Sequence, residues 1–239
     1  MKRRMLMTVL SVILALVVAV PLASAQTVAT TQTSQTKLGA LTASWWNWAM
    51  QDPSPLQGSY TGGPKCDGNF VHGVFFLAGA ASVNGAPSSV ERTCTVRANK
   101  PILFPVTNVI CSKAFGVAGQ DPPDPKPYDT ACATPTTADV INPPSRFYAR
   151  VDGNGARQRR IASGIFQWTI ASNDNPYGLI AGTYPAASDG LWVYLQNGLQ
   201  EGNHTVKFGG RYEITPFGTF EGTKVTYNLR ARQEQEALA

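Results

Sequence analysis

The chain has 239 residues, of which 15% are charged, with 22 glycines and 17 prolines. That balance suits turn-rich β structure rather than a helical bundle or coiled coil. Hydrophobic content of 43%, with 10% aromatic, supports a packed core and excludes disorder throughout the chain.

The first 25 residues read as a secretory signal peptide. Lys2, Arg3 and Arg4 supply a basic start, 6–20 an apolar run, and Ala23-Ser24-Ala25 a small-residue cleavage site. No other stretch is long and apolar enough to span a bilayer. A secreted protein, extracellular or of the cell envelope, is expected. Cleavage would leave 17 basic residues against 15 acidic ones, so the net charge of +5 falls to +2. Nucleic acid is therefore not an expected partner. Arg157, Arg159 and Arg160 read as a solvated hairpin edge.

Residues 26–36 are rich in Thr, Gln and Ser and read as a disordered leader. Leu38, Leu41, Trp45 and Trp48 recur at helical spacing. They predict a helix over about 37–51, stopped by Asp52-Pro53, with its tryptophans docked on a β domain. Strand signals follow at 70–77, 90–96, 102–110, 146–151, 164–170, 191–196, 204–208 and 225–231. Between them fall Asn84-Gly85, Asp152-Gly153, Asn154-Gly155 and Asn197-Gly198, which are turn pairs. No helix alternates with the strands. The expected fold is all-β, an antiparallel β-sandwich of jelly-roll or immunoglobulin-like type, with a short docked N-terminal helix. One domain over 37–232 and a tail over 233–239 are expected, with the proline-rich stretch 119–144 as a long loop.

Cys66, Cys94, Cys111 and Cys132 are even in number and make no Cys-x-x-Cys pair, which points to two disulfides. A turn near Ala98-Asn99 would fold the strand of Cys94 back, placing it opposite a residue near Leu103. Eight further residues at 3.4 Å each would carry Cys111 about 27 Å away. The expected pairing is therefore 66–94 and 111–132.

Several segments are familiar together. They are Trp45-Trp46-Asn47-Trp48, GVFFLAG at 73–79, RTCTVRANKPILFPVTN at 92–108, SDGLWVYLQNGLQEGNHTVKFGG at 188–210 and VTYNL at 225–229. The chain resembles a group of secreted bacterial and archaeal proteins in which a Trp-rich helix precedes β structure. The resemblance implies a shared fold and export, and carries over no catalytic residue.

The chemistry-bearing residues are few. His72 and His204 are the only histidines, so no three-histidine metal site exists. By strand parity both fall on apolar sides, where each would be satisfied separately; the alternative is that they converge, with a carboxylate, on a metal ion. A hydrolase or lyase site would draw on His204, Glu213 and Asp189, with Glu221 facing Glu213 across a hairpin. Arg92 shares parity with Val90, Cys94 and Val96. If it faces the core it must find a carboxylate or carbonyls, or else bind an anion. Trp192 and Tyr194 share one strand face and would form an outward aromatic platform if Leu191, Val193 and Leu195 point inward. No cofactor is called for. The leading expectation is a non-enzymatic binding protein for an extracellular polysaccharide or a protein partner. An extracellular hydrolase or lyase, and a structural envelope component, are the alternatives.

Overall fold

A computed structural model describes residues 37–67, 70–80, 89–116, 146–214 and 218–233; for 64, 67, 116, 212–214 and 218–221 it describes the backbone alone. The chain divides into two units, 1–34 and 35–239. Only the second contains described residues. The expected signal peptide and leader, Asn84-Gly85, the expected loop 119–144 and the expected tail from residue 234 lie outside them.

A helix, α1 (37–49), opens the described chain. The described residues then form eleven strands in two sheets. The first sheet has the order β1 (Tyr60–Thr61), β4 (Ser89–Arg97), β11 (Gly218–Arg232), β10 (Gly202–Ile214), β6 (Arg146–Val151) and β7 (Asn154–Gly155). The second has the order β2 (Phe70–Val71), β3 (Val74–Phe76), β5 (Ile102–Ser112), β9 (Gly182–Leu195) and β8 (Gln158–Ile170). A four-residue helix, α2 (Pro64–Asp67), precedes β2. The fold is mostly β, as composition implied, but the sheets are mixed. Strand β4 runs parallel to both β1 and β11, and β3 runs parallel to β5. The expectation of a purely antiparallel arrangement is corrected on this point.

One core draws on both sheets. Strand β4 alternates exposed and buried along its length, and Val90, Cys94, Val96, Phe208, Val225 and Leu229 meet Phe75, Ile102, Phe104 and Val193. This period-two pattern is what a half-buried strand requires. A second core lies on the other face of the five-stranded sheet. There Trp45, Trp46 and Trp48 of α1 pack with Phe76, Leu103, Trp168 and Trp192. The rings meet edge-on: Trp45 and Trp192 centroids lie 5.3 Å apart at 83°, Trp46 and Trp168 5.8 Å apart at 79°. The tryptophans of α1 thus cover a sheet face, as their helical spacing implied.

Two contacts fix how α1 sits. The Asn47 amide donates to the Gln167 carbonyl (3.1 Å) and accepts from the Thr169 N–H (2.7 Å), standing in for a neighbouring strand along the edge of β8. A Cβ at Gly39 would lie 2.6 Å from the Ala162 carbonyl oxygen, so only glycine permits this approach.

Cys66 of α2 is bonded to Cys94 of β4, as expected. The closed loop is worth about 3 kcal/mol in the loop-entropy account. The route to that pairing was different, however. Asn99 does turn the chain, with φ of 58°, but β4 and β5 enter different sheets and do not pair. Cys111 is disulfide-bonded too; Cys132, its expected partner, lies outside the described residues.

Candidate binding surface

The residues singled out from sequence are scattered by the fold. Trp192 is fully buried, with α1 laid across it, and Tyr194 is half-buried on the same face, where burial pushes its hydroxyl pKa up. The outward aromatic platform is thereby overturned. Leu191 and Val193 do point into the shared core, but the face opposite them is covered by a helix rather than by water.

Arg92 is buried completely. Its Nε donates to Gly58 O (3.1 Å), Nη2 to Leu56 O (3.3 Å), and Nη1 to Ala78 O (2.7 Å), Gly79 O (2.8 Å) and the Tyr227 hydroxyl (2.9 Å). The guanidinium also lies 4.9 Å from the Tyr60 ring centroid and 5.5 Å from that of Tyr227. Carbonyl dipoles and ring faces surround the cation where a carboxylate was the other option. Burial, with Tyr227 nearby, drives the Tyr60 hydroxyl pKa upward against the pull of Arg92. Arg92 is thus a structural tie between the segment after α1, the segment after β3 and strand β11.

The two histidines do not converge. Val71 and Val74 are paired across a two-residue turn in which His72 and Gly73 have φ of 51° and 78°. The expected strand 70–77 is therefore broken, and His72 is exposed rather than on an apolar strand face. It borders a depression of about 330 Å³ with Asn47 and Gln51. His204 lies in the other sheet. Its Nδ1 sits 2.7 Å from Asp152 Oδ2 and its Nε2 2.9 Å from the Gln200 carbonyl oxygen. Both neighbours are acceptors, so the two bonds form together only with both ring nitrogens protonated. Neither nitrogen is presented to a metal. Among the described residues no group of three or more His, Cys, Asp or Glu side chains could hold a metal ion.

The proposed hydrolytic set is not assembled. Asp189 is buried in β9 and held by Arg160, Nη2 to Oδ2 being 2.7 Å, in the sheet that does not contain His204. Backbone register places Glu213 opposite Thr219 and Glu221 opposite Arg211, not opposite each other. The side chains of both glutamates lie outside the described residues.

The carboxylate that His204 does meet is Asp152, in the Asp-Gly turn joining β6 to β7, where φ of 51° and 82° match the expected hairpin turn. Burial raises the Asp152 pKa, but hydrogen bonds from His204 and from the Thr205 N–H outweigh it and hold the group below 3.8. A carboxylate depressed in the folded state stabilises above its unfolded pKa, and that contribution is lost as pH falls through the folded value. Asp152→Asn is expected to lower the melting temperature near neutral pH, with the deficit shrinking below about pH 4. Melting curves of both proteins across that range check it; a deficit independent of pH would exclude the ionised pair as its source.

A cleft of about 250 Å³ opens where β5 runs beyond β3, lined by Pro105, Thr107, Asn108, Phe147, Tyr177 and Phe208. The Asn108 Nδ2 is buried there without a partner among the described residues. Burial pushes the Tyr177 hydroxyl pKa up to about 12.

The outer face of the six-stranded sheet has a different character. With Val206, Phe208, Val225, Tyr227 and Leu229 directed into the core, the alternate positions face out. They include Arg146 and Arg150 on β6, Lys207 and Arg211 on β10, and Lys224 and Arg230 on β11, all exposed. Arg150 is opposite Lys207, and Arg146 opposite Arg211. Among the described side chains of these strands and β4, Glu91 is the acidic one on this face, and Asn228 Nδ2 donates to it at 2.7 Å; by backbone register the positions of Glu213 and Glu221 fall on this face as well, Glu221 opposite Arg211. Sequence reading missed this surface because its cations lie on three strands and form no cluster along the chain. The pairing of Arg-x-Tyr-x-Arg at 146–150 with Lys-x-x-x-Arg at 207–211 was the available signal.

These features define a disulfide-linked, mostly β protein with a Trp-rich helix and a basic sheet face. No family model matches the chain, and no curated protein matches it. Two solved structures show a distant likeness. The structure of PbICP-C in complex with falcipain-2 is 8% identical, over 66% of this chain and 98% of that one, with a TM-score of 0.23. The solution structure of amebosin is 11% identical, over 61% of this chain and 99% of that one, with a TM-score of 0.17. At these scores neither likeness carries an argument about fold or function.

Proposed function

We propose that the protein is an extracellular β-sandwich that binds an acidic polysaccharide on the outer face of its six-stranded sheet. The observation behind this reading is the array of exposed cations on β6, β10 and β11, in register across neighbouring strands. A rigid sheet holds such charges at fixed spacing, so a linear polyanion can meet several at once without ordering a loop. The disulfide supports an oxidising compartment, where acidic glycans are the expected polyanions. Among the described residues no helix is long and apolar enough to cross a membrane.

The purified chain should retain polygalacturonate and release it as salt is raised, because exposed charges are screened. Arg150→Gln combined with Lys207→Gln should weaken retention about tenfold at low salt, as expected for two surface contacts of somewhat under 1 kcal/mol each. Retention of neutral dextran equal to that of polygalacturonate would overturn the proposal. Tighter binding of single-stranded DNA than of any acidic glycan would replace the polysaccharide with nucleic acid.

A further inference from the structure

Asn203-His204-Thr205 is the one Asn-x-Ser/Thr triplet in the chain. With no proline in the middle, it has the acceptor pattern for N-linked glycan transfer in secreted proteins. It opens β10, where Gln200, Glu201, Gly202 and Asn203 are all exposed. Val206 and Phe208 belong to the core, so by alternation Asn203, Thr205 and Lys207 share the outer face. Asn203 stands opposite Arg230 of β11, while the ladder to β6 begins further along, at Val206. The fold makes no use of this asparagine. Asparagine is depleted in strands, and other asparagines of the described chain have a task. Asn47 ties α1 to β8, Asn175 accepts from the Tyr177 and Leu179 N–H groups, and Asn228 meets Glu91. The Asn203 side chain makes no hydrogen bond among the described residues.

We infer that Asn203 is a glycan acceptor, modified by an oligosaccharyltransferase as the chain is exported. The co-substrate is an oligosaccharide linked through pyrophosphate to a lipid. The Asn203 amide nitrogen attacks the anomeric carbon of that sugar. The new N–C bond forms as the C–O bond to pyrophosphate breaks. The nitrogen gives up one proton, and the lipid pyrophosphate leaves with the bonding electron pair. The transferase reads the hydroxyl of Thr205, so serine can replace this residue and alanine cannot. Transfer comes before β10 joins its ladder, because a paired strand cannot bend into an enzyme groove. The folded protein then carries the glycan outward without disturbing the core. The Cys66–Cys94 bond is consistent with folding in an oxidising, exported compartment. Modification requires export of the chain and is independent of the polysaccharide reading.

Peptide mapping by mass spectrometry tests this on the protein purified from the cells that make it. No Lys or Arg lies between Arg160 and Lys207, so trypsin releases the triplet within the peptide 161–207. That peptide should carry an added oligosaccharide mass. Asn203→Gln and Thr205→Ala, expressed in the same cells, should each abolish it, and Thr205→Ser should keep it. The two bonds between Thr205 and the Asp152 residue use the Thr205 backbone N–H and carbonyl, so they survive either change at 205. If Thr205→Ala still fails to fold, Asn203→Gln decides alone, since its side chain is unpartnered among the described residues. An unmodified peptide 161–207 in the natural protein would overturn the inference. So would a glycan that persists on this peptide in Asn203→Gln or in Thr205→Ala.

Discussion

Arg92→Met is expected to destabilise the protein by roughly 3 kcal/mol or more, since each buried acceptor left unsatisfied costs about 1–3 kcal/mol. The acceptors left behind are backbone carbonyls of Leu56, Gly58, Ala78 and Gly79, together with the Tyr227 hydroxyl. Backbone carbonyls cannot be mutated away, so an apolar replacement strands those of the buried Leu56 and Ala78 in a dry site. Tyr227 would retain part of its network, since it accepts from the Ala78 N–H (2.9 Å) and lies 3.1 Å from the Tyr60 hydroxyl. Arg92→Lys should recover only part of the loss. One ammonium cannot span the 56–58 and 78–79 segments that the planar fork reaches together. Urea unfolding followed by tryptophan fluorescence measures both variants. A loss below about 1 kcal/mol for Arg92→Met would show that other donors take over the carbonyls.

Much of the fold could be read from the chain because period and composition agree in particular places. Val90, Cys94 and Val96 alternate with Glu91, Thr93 and Thr95, and the register of β4 follows that alternation. It also placed Arg92 inward, correctly. The α1 tryptophans fall at helical spacing and form one packed face. The strand β9 is harder to read in its first half. Its residues Ala186, Ala187 and Ser188 are fully buried, although small residues carry little strand propensity. They are small because the sheet is covered on both faces. At Gly190 a Cβ would lie 2.5 Å from the Thr107 carbonyl oxygen. Tertiary crowding, which local sequence does not encode, made this stretch a strand.

The site was less legible for a related reason. Pairing Asp152 with His204 needs the β6–β10 neighbourhood, and the two residues are 52 positions apart. The basic face needs the order of three strands. Alternation alone told which side chains share a face of one strand. It could not tell which face a helix would later cover, and that single unknown inverted the reading of Trp192.

Trp192→Ala is expected to cost about 3–5 kcal/mol, the usual range for emptying a buried tryptophan position. The ring is fully buried and meets Trp45 edge-on at a centroid distance of 5.3 Å. Its removal opens a cavity under α1, in the cluster that also contains Phe76, Leu103 and Trp168. The Trp45 indole N–H donates to the Leu77 carbonyl at 2.9 Å, which holds Trp45 in place and limits how far it can move into the space. Trp192→Phe should behave differently. The Trp192 Nε1 is buried with no hydrogen-bond partner among the described residues, so phenylalanine discards a polar group that was already unsatisfied. The smaller ring should cost less than Trp192→Ala, because it leaves a smaller cavity. Polygalacturonate affinity of the folded Trp192→Phe protein should match that of the unaltered chain, since this residue faces α1 and not the basic sheet. Denaturant unfolding and a binding titration on the same preparation read the two quantities separately. A stable Trp192→Ala protein that had lost its ligand would restore the aromatic platform; a destabilised one that still binds when folded places Trp192 in the core alone.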